Sequence, residues 1–274
     1  MSKTSINVLG VRIDPLTIDE LNQKILQRVD QDTGKELVIF KPYVEFLSLA
    51  ARNKQICELL NKSDINAPDS TALQWAGSYL YGDPPTSSNS LSTLRSLLVN
   101  MQIQNWRKQV VPERMAGLDQ TLPLLKQANL KKLKVAVLGG PKDILKTKSE
   151  LQRRFKNLKI QIWSGYFNSS QESEIVKEIA NFSPDILFCA MGFPKQEEFI
   201  IRNRSHLGSK VIIGEGGSFD YNQLGGHIKR APRWLRRIGL EWLWRLLLQP
   251  KRIGRQIAIP TFIRKVQNQR RNQK

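Results

Sequence analysis

The chain has 274 residues, 40% of them apolar, and a formal net charge of +19; that length allows one large domain plus an appendage, and that composition excludes disorder. Two cysteines and two histidines exclude a disulfide framework and a multi-histidine metal centre. The opening MSKTSINVLGVRID has no apolar stretch of signal-peptide length, and nowhere do about twenty apolar residues run together, so the expectation is a cytoplasmic chain without a spanning helix.

In chain order, the apolar run INVLGVRI leads into Thr17-Ile-Asp-Glu20, whose capping-box spacing predicts a helix through LNQKILQRV. A strand at LVIFKP and a helix from about Val44 to Leu60 follow, then INAPD and a second helix at STALQWAGSYLYG, with Asp69 at the joint. GDPPTSSNS, residues 82–90, is rich in turn formers and reads as a connector or a lid. Beyond it the alternation is clearest: LKVAVLGG, a helix to Phe155, LKIQIW, a helix to Phe182, DILFCAMG, a helix to Arg204, and KVIIGEG. Apolar runs separated by helical segments predict parallel strands with crossover helices. The expected fold is α/β, a Rossmann-like, mostly parallel sheet over residues 1–228, with a basic helical appendage at 229–274.

Fourteen of the 43 Lys and Arg lie from Lys229 onward, against the single acid Glu241. From Pro232 the spacing predicts a helix with Leu235, Ile238, Trp242, Leu243 and Leu246 on one stripe and Arg233, Arg236 and Arg237 away from it. Such a helix suits an anionic membrane surface, while the plainer alternative packs the stripe on the sheet. The last residues, 264–274, read as a basic tail of the kind that is often disordered. Nucleic acid is not expected as a partner, because Trp234, Trp242 and Trp244 sit within one helix instead of interleaving with the basic residues.

In a doubly wound sheet, ligands bind at the carboxyl ends of the strands. Gly139-Gly140, Gly165, Gly192 to Glu197 and Gly216-Gly217 to Asp220 each follow a predicted strand and share that edge. Glycine turns that expose helix amides suit phosphate. Gly139-Gly140 lacks the third glycine of a dinucleotide fingerprint, which disfavours a nicotinamide enzyme. In FCAMGFPKQEEFI, Gly192 releases the strand, Pro194 presets the helix, and Gln196 and Glu197 are expected to project towards a polar ligand; the alternative is a solvated first turn.

FCAMGFPKQEEFI resembles the G-x-PKQE signature of the WecG/TagA/CpsF family of bacterial glycosyltransferases. NVLGVRID, APDS, ERMAGLD, VLGGP, GYF, GEGGSFDYNQLGGHIKRAPRW and EWLWRLLLQPKRIGR resemble further family motifs in the same order, over about residues 6 to 255. The resemblance implies an inverting transfer of an N-acetylmannosamine-type sugar from a nucleotide-sugar donor, UDP-linked, to a polyprenyl-diphosphate-linked saccharide, at the inner face of the plasma membrane. It implies Asp69 as the base that takes the acceptor proton, where helix capping is the plainer role. Donor binding falls on Gly139, Gly140, Gly192, Pro194, Lys195, Gln196, Glu197, Gly216, Gly217, Phe219 and Asp220. Arg114, Arg230, Arg237, Arg245 and Arg252 are its candidate cations for a diphosphate or the acceptor. These motifs contain no Asp-x-Asp pair, so neither a metal nor a cofactor is expected and the leaving diphosphate falls to amides and cations.

Three positions depart from the family pattern. Lys41 and Tyr43 stand where Thr-x-Asn is typical in a strand lining the sugar site, and Ser70 stands where glycine follows the aspartate. A cation and a phenol there change which sugar fits. The sequence leaves the sugar, the acceptor and a homo-oligomer open; the rival is a non-catalytic membrane- or nucleic-acid-binding protein on the same scaffold.

Overall fold

A computed structural model describes residues 4–31, 33–83, 104–140, 143–232, 234–235, 241–250 and 253–273. The expected turn-rich loop lies for the most part outside the described residues, and so do Arg237 and Arg252.

The opening apolar run is a hairpin where one strand was expected. β1 (Ile6–Val8) and β2 (Val11–Ile13) pair antiparallel around Leu9 and Gly10, both at positive φ, the backbone that tight hairpin turns require. α1 (Ile18–Asp30) begins with both hydrogen bonds of the Thr17–Glu20 capping box. β3 (Leu37–Phe40) is followed by α2 (Val44–Ala50) and α3 (Lys54–Asn61), two helices in place of one because Asn53 caps a new start by accepting from the Ile56 amide. Next come β4 (Ile65–Asn66), α4 (Thr71–Tyr81) and the short α5 (Gln104–Arg107).

α6 (Gly117–Leu130) was not expected; Pro123 lies inside it and breaks the pattern that would announce a helix. Thereafter β5 (Lys134–Gly139), α7 (Ile144–Arg154), β6 (Lys159–Trp163), α8 (Ser169–Phe182), β7 (Ile186–Ala190), α9 (Lys195–Asn203) and β8 (Val211–Gly214) fall where the alternation puts them. α10 (Glu241–Leu248) and α11 (Ile253–Asn272) close the described chain.

The six strands β3 to β8 form one parallel sheet in the order β4-β3-β8-β7-β5-β6. Alternation along each strand feeds two cores. Val38, Phe40, Ala136, Leu138, Leu187, Cys189 and Ile212 face one; Leu37, Ile39, Val135, Val137, Ile186, Phe188, Val211 and Ile213 face the other. A strand buried on both faces reads as a continuous apolar run, which is why these segments were legible.

Phe262, Ile263 and Val266 of α11 belong to the same core cluster as residues of α2 and α4. This stretch of the basic ending is therefore packed helix, and the expectation of a disordered tail does not hold for it. Phe262→Ala, which empties a fully buried site, is expected to lower unfolding free energy by about 3–5 kcal/mol, read by urea denaturation. A loss under 1 kcal/mol would mean that α11 is not part of the cooperative core.

Candidate active site

The order β3-β8-β7 puts the carboxyl ends of three strands side by side. Asp69 reaches this edge from the segment between β4 and α4. That segment is sewn in by backbone hydrogen bonds: the Ala67 amide donates to Phe40 O at 2.8 Å, the Asp69 amide to Pro42 O at 3.2 Å, and the Met115 amide to Pro68 O at 2.8 Å. Helix capping falls to Ser70, whose hydroxyl accepts from the Leu73 amide, so the side chain of Asp69 is not consumed as a cap.

Four charged side chains act on Asp69. Burial pushes its carboxyl up to about 7, while Arg114, Lys41 and Arg245 pull it down and Glu215 adds to the rise. A carboxyl that holds its proton near neutral pH is matched to proton transfer in a way an ordinary surface aspartate is not.

Lys41 does not face a ligand, contrary to its expected place in the sugar site. Its side chain is 3% exposed and pairs with Glu215, which is 0% exposed. Lys41 Nζ also donates to Gln120 Oε1 at 2.6 Å, Thr121 Oγ1 donates to Glu215 Oε1 at 2.6 Å, and Gln120 Nε2 donates to Asn22 Oδ1 at 2.7 Å. Every charged atom of the pair thus has a partner, the condition under which a buried ion pair is tolerated. Tyr43, a second departure, is half-buried at the N-cap of α2.

Gln196 and Glu197 are also buried, 3% and 1% exposed, and do not project outward as expected. Gln196 Oε1 accepts from the Gly192 amide at 3.2 Å and its Nε2 donates to Glu197 Oε1 at 2.9 Å, so this pair locks the turn from within. Burial pushes Glu197 up to about 8, against the lowering effect of the Gln196 bond. A Cβ added at Gly214 would come within 3.2 Å of Gln196 Nε2, so this turn and the Lys41–Glu215 pair meet at the end of β8.

Lys195 is spent on its neighbours: Nζ donates to Gly165 O at 2.9 Å and lies 4.6 Å from the centre of the Phe167 ring. Phe219 is core, edge-on to Phe188 at 5.6 Å. Pro194 N-caps α9. Gly192 and Gly216 have φ of +84° and +65° with nothing within 4 Å of an added Cβ, so both combine left-handed backbone with open space on the ligand side of the edge. Gly139 is glycine for closeness instead: a Cβ there would be 2.6 Å from Ala190 O. Gly140 follows it and donates its amide to the same oxygen at 3.0 Å.

The cations are gathered by the chain's end. Arg245 of α10 donates to Gly217 O at 3.0 Å and lies 3.5 Å from Asp220 Oδ2. One turn earlier, Glu241 bridges Arg114 (3.0 Å) and Arg230 (3.3 Å), and Arg230 also holds Asp119 at 2.6 Å. Glu215, Glu241, Gln120 and Thr121 were not singled out from sequence. Glu215 carried a signal, an acid between a buried strand and a glycine pair; Gln120 and Thr121 were hidden by the missed helix α6.

The sequence profile described as the glycosyl transferase WecG/TagA/CpsF family matches residues 6–109 and 101–274. An N-acetylglucosaminyldiphosphoundecaprenol N-acetyl-beta-D-mannosaminyltransferase of Bacillus subtilis (strain 168) is 32% identical over 249 residues, 90% of this chain and 84% of that protein. The protein of the same name from Staphylococcus aureus (strain MRSA252) is 29% identical over 267 residues, 97% of this chain and 93% of its own.

The position of Asp69 has a consequence for stability. The folded state binds its proton more tightly than the unfolded chain does, so stability should fall as pH rises from the ordinary carboxylate range, about 4, through about 7. Asp69→Asn removes that term. The variant is expected to gain on the parent progressively over this window, by on the order of 3 kcal/mol at its upper end, and to gain no more above it. Denaturant midpoints measured at intervals from pH 4 to pH 9 check this; a difference independent of pH would contradict it.

Proposed function

The chain belongs to the glycosyl transferase WecG/TagA/CpsF family, and from that premise we propose that Asp69 is the general base of an inverting sugar transfer onto a polyprenyl-diphosphate-linked saccharide. The sugar in this reading is of the N-acetylmannosamine type, after the names of the relatives, and UDP is its proposed carrier. Asp69 takes the proton of the acceptor hydroxyl as its oxygen bonds to the anomeric carbon of the donor. The bond from that carbon to the diphosphate breaks, and the electron pair leaves with the nucleotide. The observation that carries the reading is the carboxyl of Asp69, pushed up to about 7 among Arg114, Lys41, Glu215 and Arg245, at the edge where Gly192 and Gly216 combine left-handed backbone with open space.

Negative charge that develops on the leaving diphosphate calls for preorganised donors. Arg114 and Arg245, the two arginines that act on Asp69, are suited to that role, with no metal required. Among the described residues no cluster of three or more His, Cys, Asp and Glu is arranged to hold a metal ion. Gly217 and Asp220, tied to Arg245, are the donor-side contacts in this reading.

No helix among the described residues is long and apolar enough to cross a membrane. Trp234 (63% exposed) and Leu247 (70% exposed) present apolar surface from the basic ending. A basic segment with exposed Trp and Leu suits a peripheral seat on an anionic bilayer, where each cation near the surface adds about 1 kcal/mol. The reading therefore places the enzyme on the inner face of the plasma membrane, beside its lipid-linked acceptor.

Asp69→Ala is expected to lower transfer from UDP-N-acetylmannosamine to undecaprenyl-diphosphate-linked N-acetylglucosamine by roughly 10² to 10⁴. In the parent, kcat/KM should rise with pH through a midpoint near 7, because only the ionised carboxylate accepts a proton. Equal turnover by the variant removes Asp69 as base, and absence of turnover by the parent with any nucleotide sugar favours the non-catalytic binding protein. For the membrane seat, Trp234→Glu with Leu247→Glu should cut co-sedimentation with phosphatidylglycerol-containing vesicles at least tenfold. Unchanged binding would discard this surface.

A further inference from the structure

We propose that the buried Lys41–Glu215 ion pair is a positioning device that sets the proton affinity of Asp69, with Lys41 favouring the ionised base and Glu215 holding that cation and offsetting its charge. The inference rests on the reading of Asp69 as base and assigns the two residues beneath it a part in the same site. Neither contacts substrate in this account; both act through Asp69.

The backbone brings the pair and the base together. Lys41 follows β3 directly, and the next residue, Pro42, accepts the Asp69 amide at 3.2 Å. Glu215 follows β8, the strand hydrogen-bonded beside β3, and its own amide donates to Cys189 O at 2.8 Å. The Glu215 carboxylate lies against the start of α6: a Cβ at Gly117 would be 2.8 Å from Oε1, and Thr121 Oγ1 donates to that same oxygen. A carboxylate at a helix amino terminus that also accepts a hydroxyl is fixed in place. Gln120 fixes the lysine from the other side. Two opposite charges are thus held with little freedom next to a third group that titrates.

The groups acting on Asp69 come from four elements: Arg114 ahead of α6, Lys41 at the end of β3, Glu215 after β8 and Arg245 on α10. Arg114 is answered by Glu241, and Arg245 by Asp220 and Gly217 O. Among the described residues Lys41 is ion-paired with one carboxylate, Glu215. Removing the charge of Glu215 therefore leaves an uncompensated ammonium next to Asp69, and removing both restores the balance.

The test compares Glu215→Gln and the double variant Lys41→Met/Glu215→Gln with the parent, each with and without Asp69→Asn. The pH at which the stability difference due to Asp69→Asn stops growing reports the titration of Asp69 in the folded state without reference to activity. Glu215→Gln, which keeps the shape of the side chain, should move this point to lower pH by on the order of one unit, and the double variant should bring it back towards the parent. The acid limb of the kcat/KM profile should follow the same two steps. Coincident titrations in all three proteins would overturn the inference, as would a double variant displaced further than the single one. If the stability titration moves in this way while the activity profile stays still, the pair tunes Asp69 but Asp69 is not the base, and it is the functional reading that fails. A change in KM for the sugar donor without any pH displacement would return Lys41 to a direct sugar contact and reject the tuning role.

Discussion

The position of β8 between β3 and β7 is the constraint on which the site depends. Parallel strands must carry their connections over the faces of the sheet, so the loops that leave neighbouring carboxyl ends belong to distant parts of the sequence. Here that geometry joins residues 41, 196 and 215 at one strand end. The ladder itself is built from apolar, largely β-branched runs buried on both faces, and such a sheet tolerates charge only at its ends. Lys41 and Glu215 sit at that limit. Removing one partner of a buried pair typically costs about 3–5 kcal/mol because the other charge is stranded, so the pair is held together as firmly as it holds the loops.

Around this core the site carries carboxyls that the fold does not favour. Asp69 is pushed up to about 7 and Glu197 to about 8, in both cases chiefly by burial. Their surroundings differ. Asp69 is partly exposed and ringed by charges of both signs, which fits proton exchange with a ligand. Glu197 is sealed beneath Gly214, accepts a bond from Gln196 and leaves Oε2 without a partner among the described residues. In that setting Glu197 braces the Gly192 turn from behind, through Gln196. Two carboxyls at one sheet edge thus differ in access, not in proton affinity: Asp69 is partly exposed and Glu197 is buried. Such sites lower the stability of the molecule that carries them, a common cost of function.

The strand-and-helix order was legible because each buried strand reads as an unbroken apolar run and each crossover helix is long enough to show its period. Two irregularities were not. Leu9-Gly10 turns the chain inside an apolar run where no polar punctuation marks it, and Pro123 inside α6 disguises a helix that supplies Gln120 and Thr121 to the buried network. For the site, the glycine loops and Asp69 could be located from sequence because strand ends and helix starts fix where they must lie. The direction of a side chain could not. Lys41, Gln196 and Glu197 look like ligand-facing polar groups in a linear reading, yet each finds its partner inside: Glu215 across the sheet for Lys41, the Gly192 amide and Glu197 for Gln196. These partners are set by tertiary packing, and spacing along the chain carries no trace of them.

The basic ending divides its residues by destination, and the division limits how it can act. Phe262, Ile263 and Val266 are spent on the core with α2 and α4. Glu241 and Arg245, one turn apart on α10, are spent on the site: one neutralises Arg114 and Arg230, the other reaches Gly217 and Asp220. Trp234, Leu247 and Ile257 remain turned outward. Of the outward set, Leu247 lies on α10, the same short helix that carries Glu241 and Arg245. Because Glu241 satisfies two arginines at once, any anionic ligand that recruits Arg114 or Arg230 must compete with it. With Asp119 also on Arg230, these two arginines already hold two carboxylates, and their affinity for another anion is the difference between the two sets of contacts.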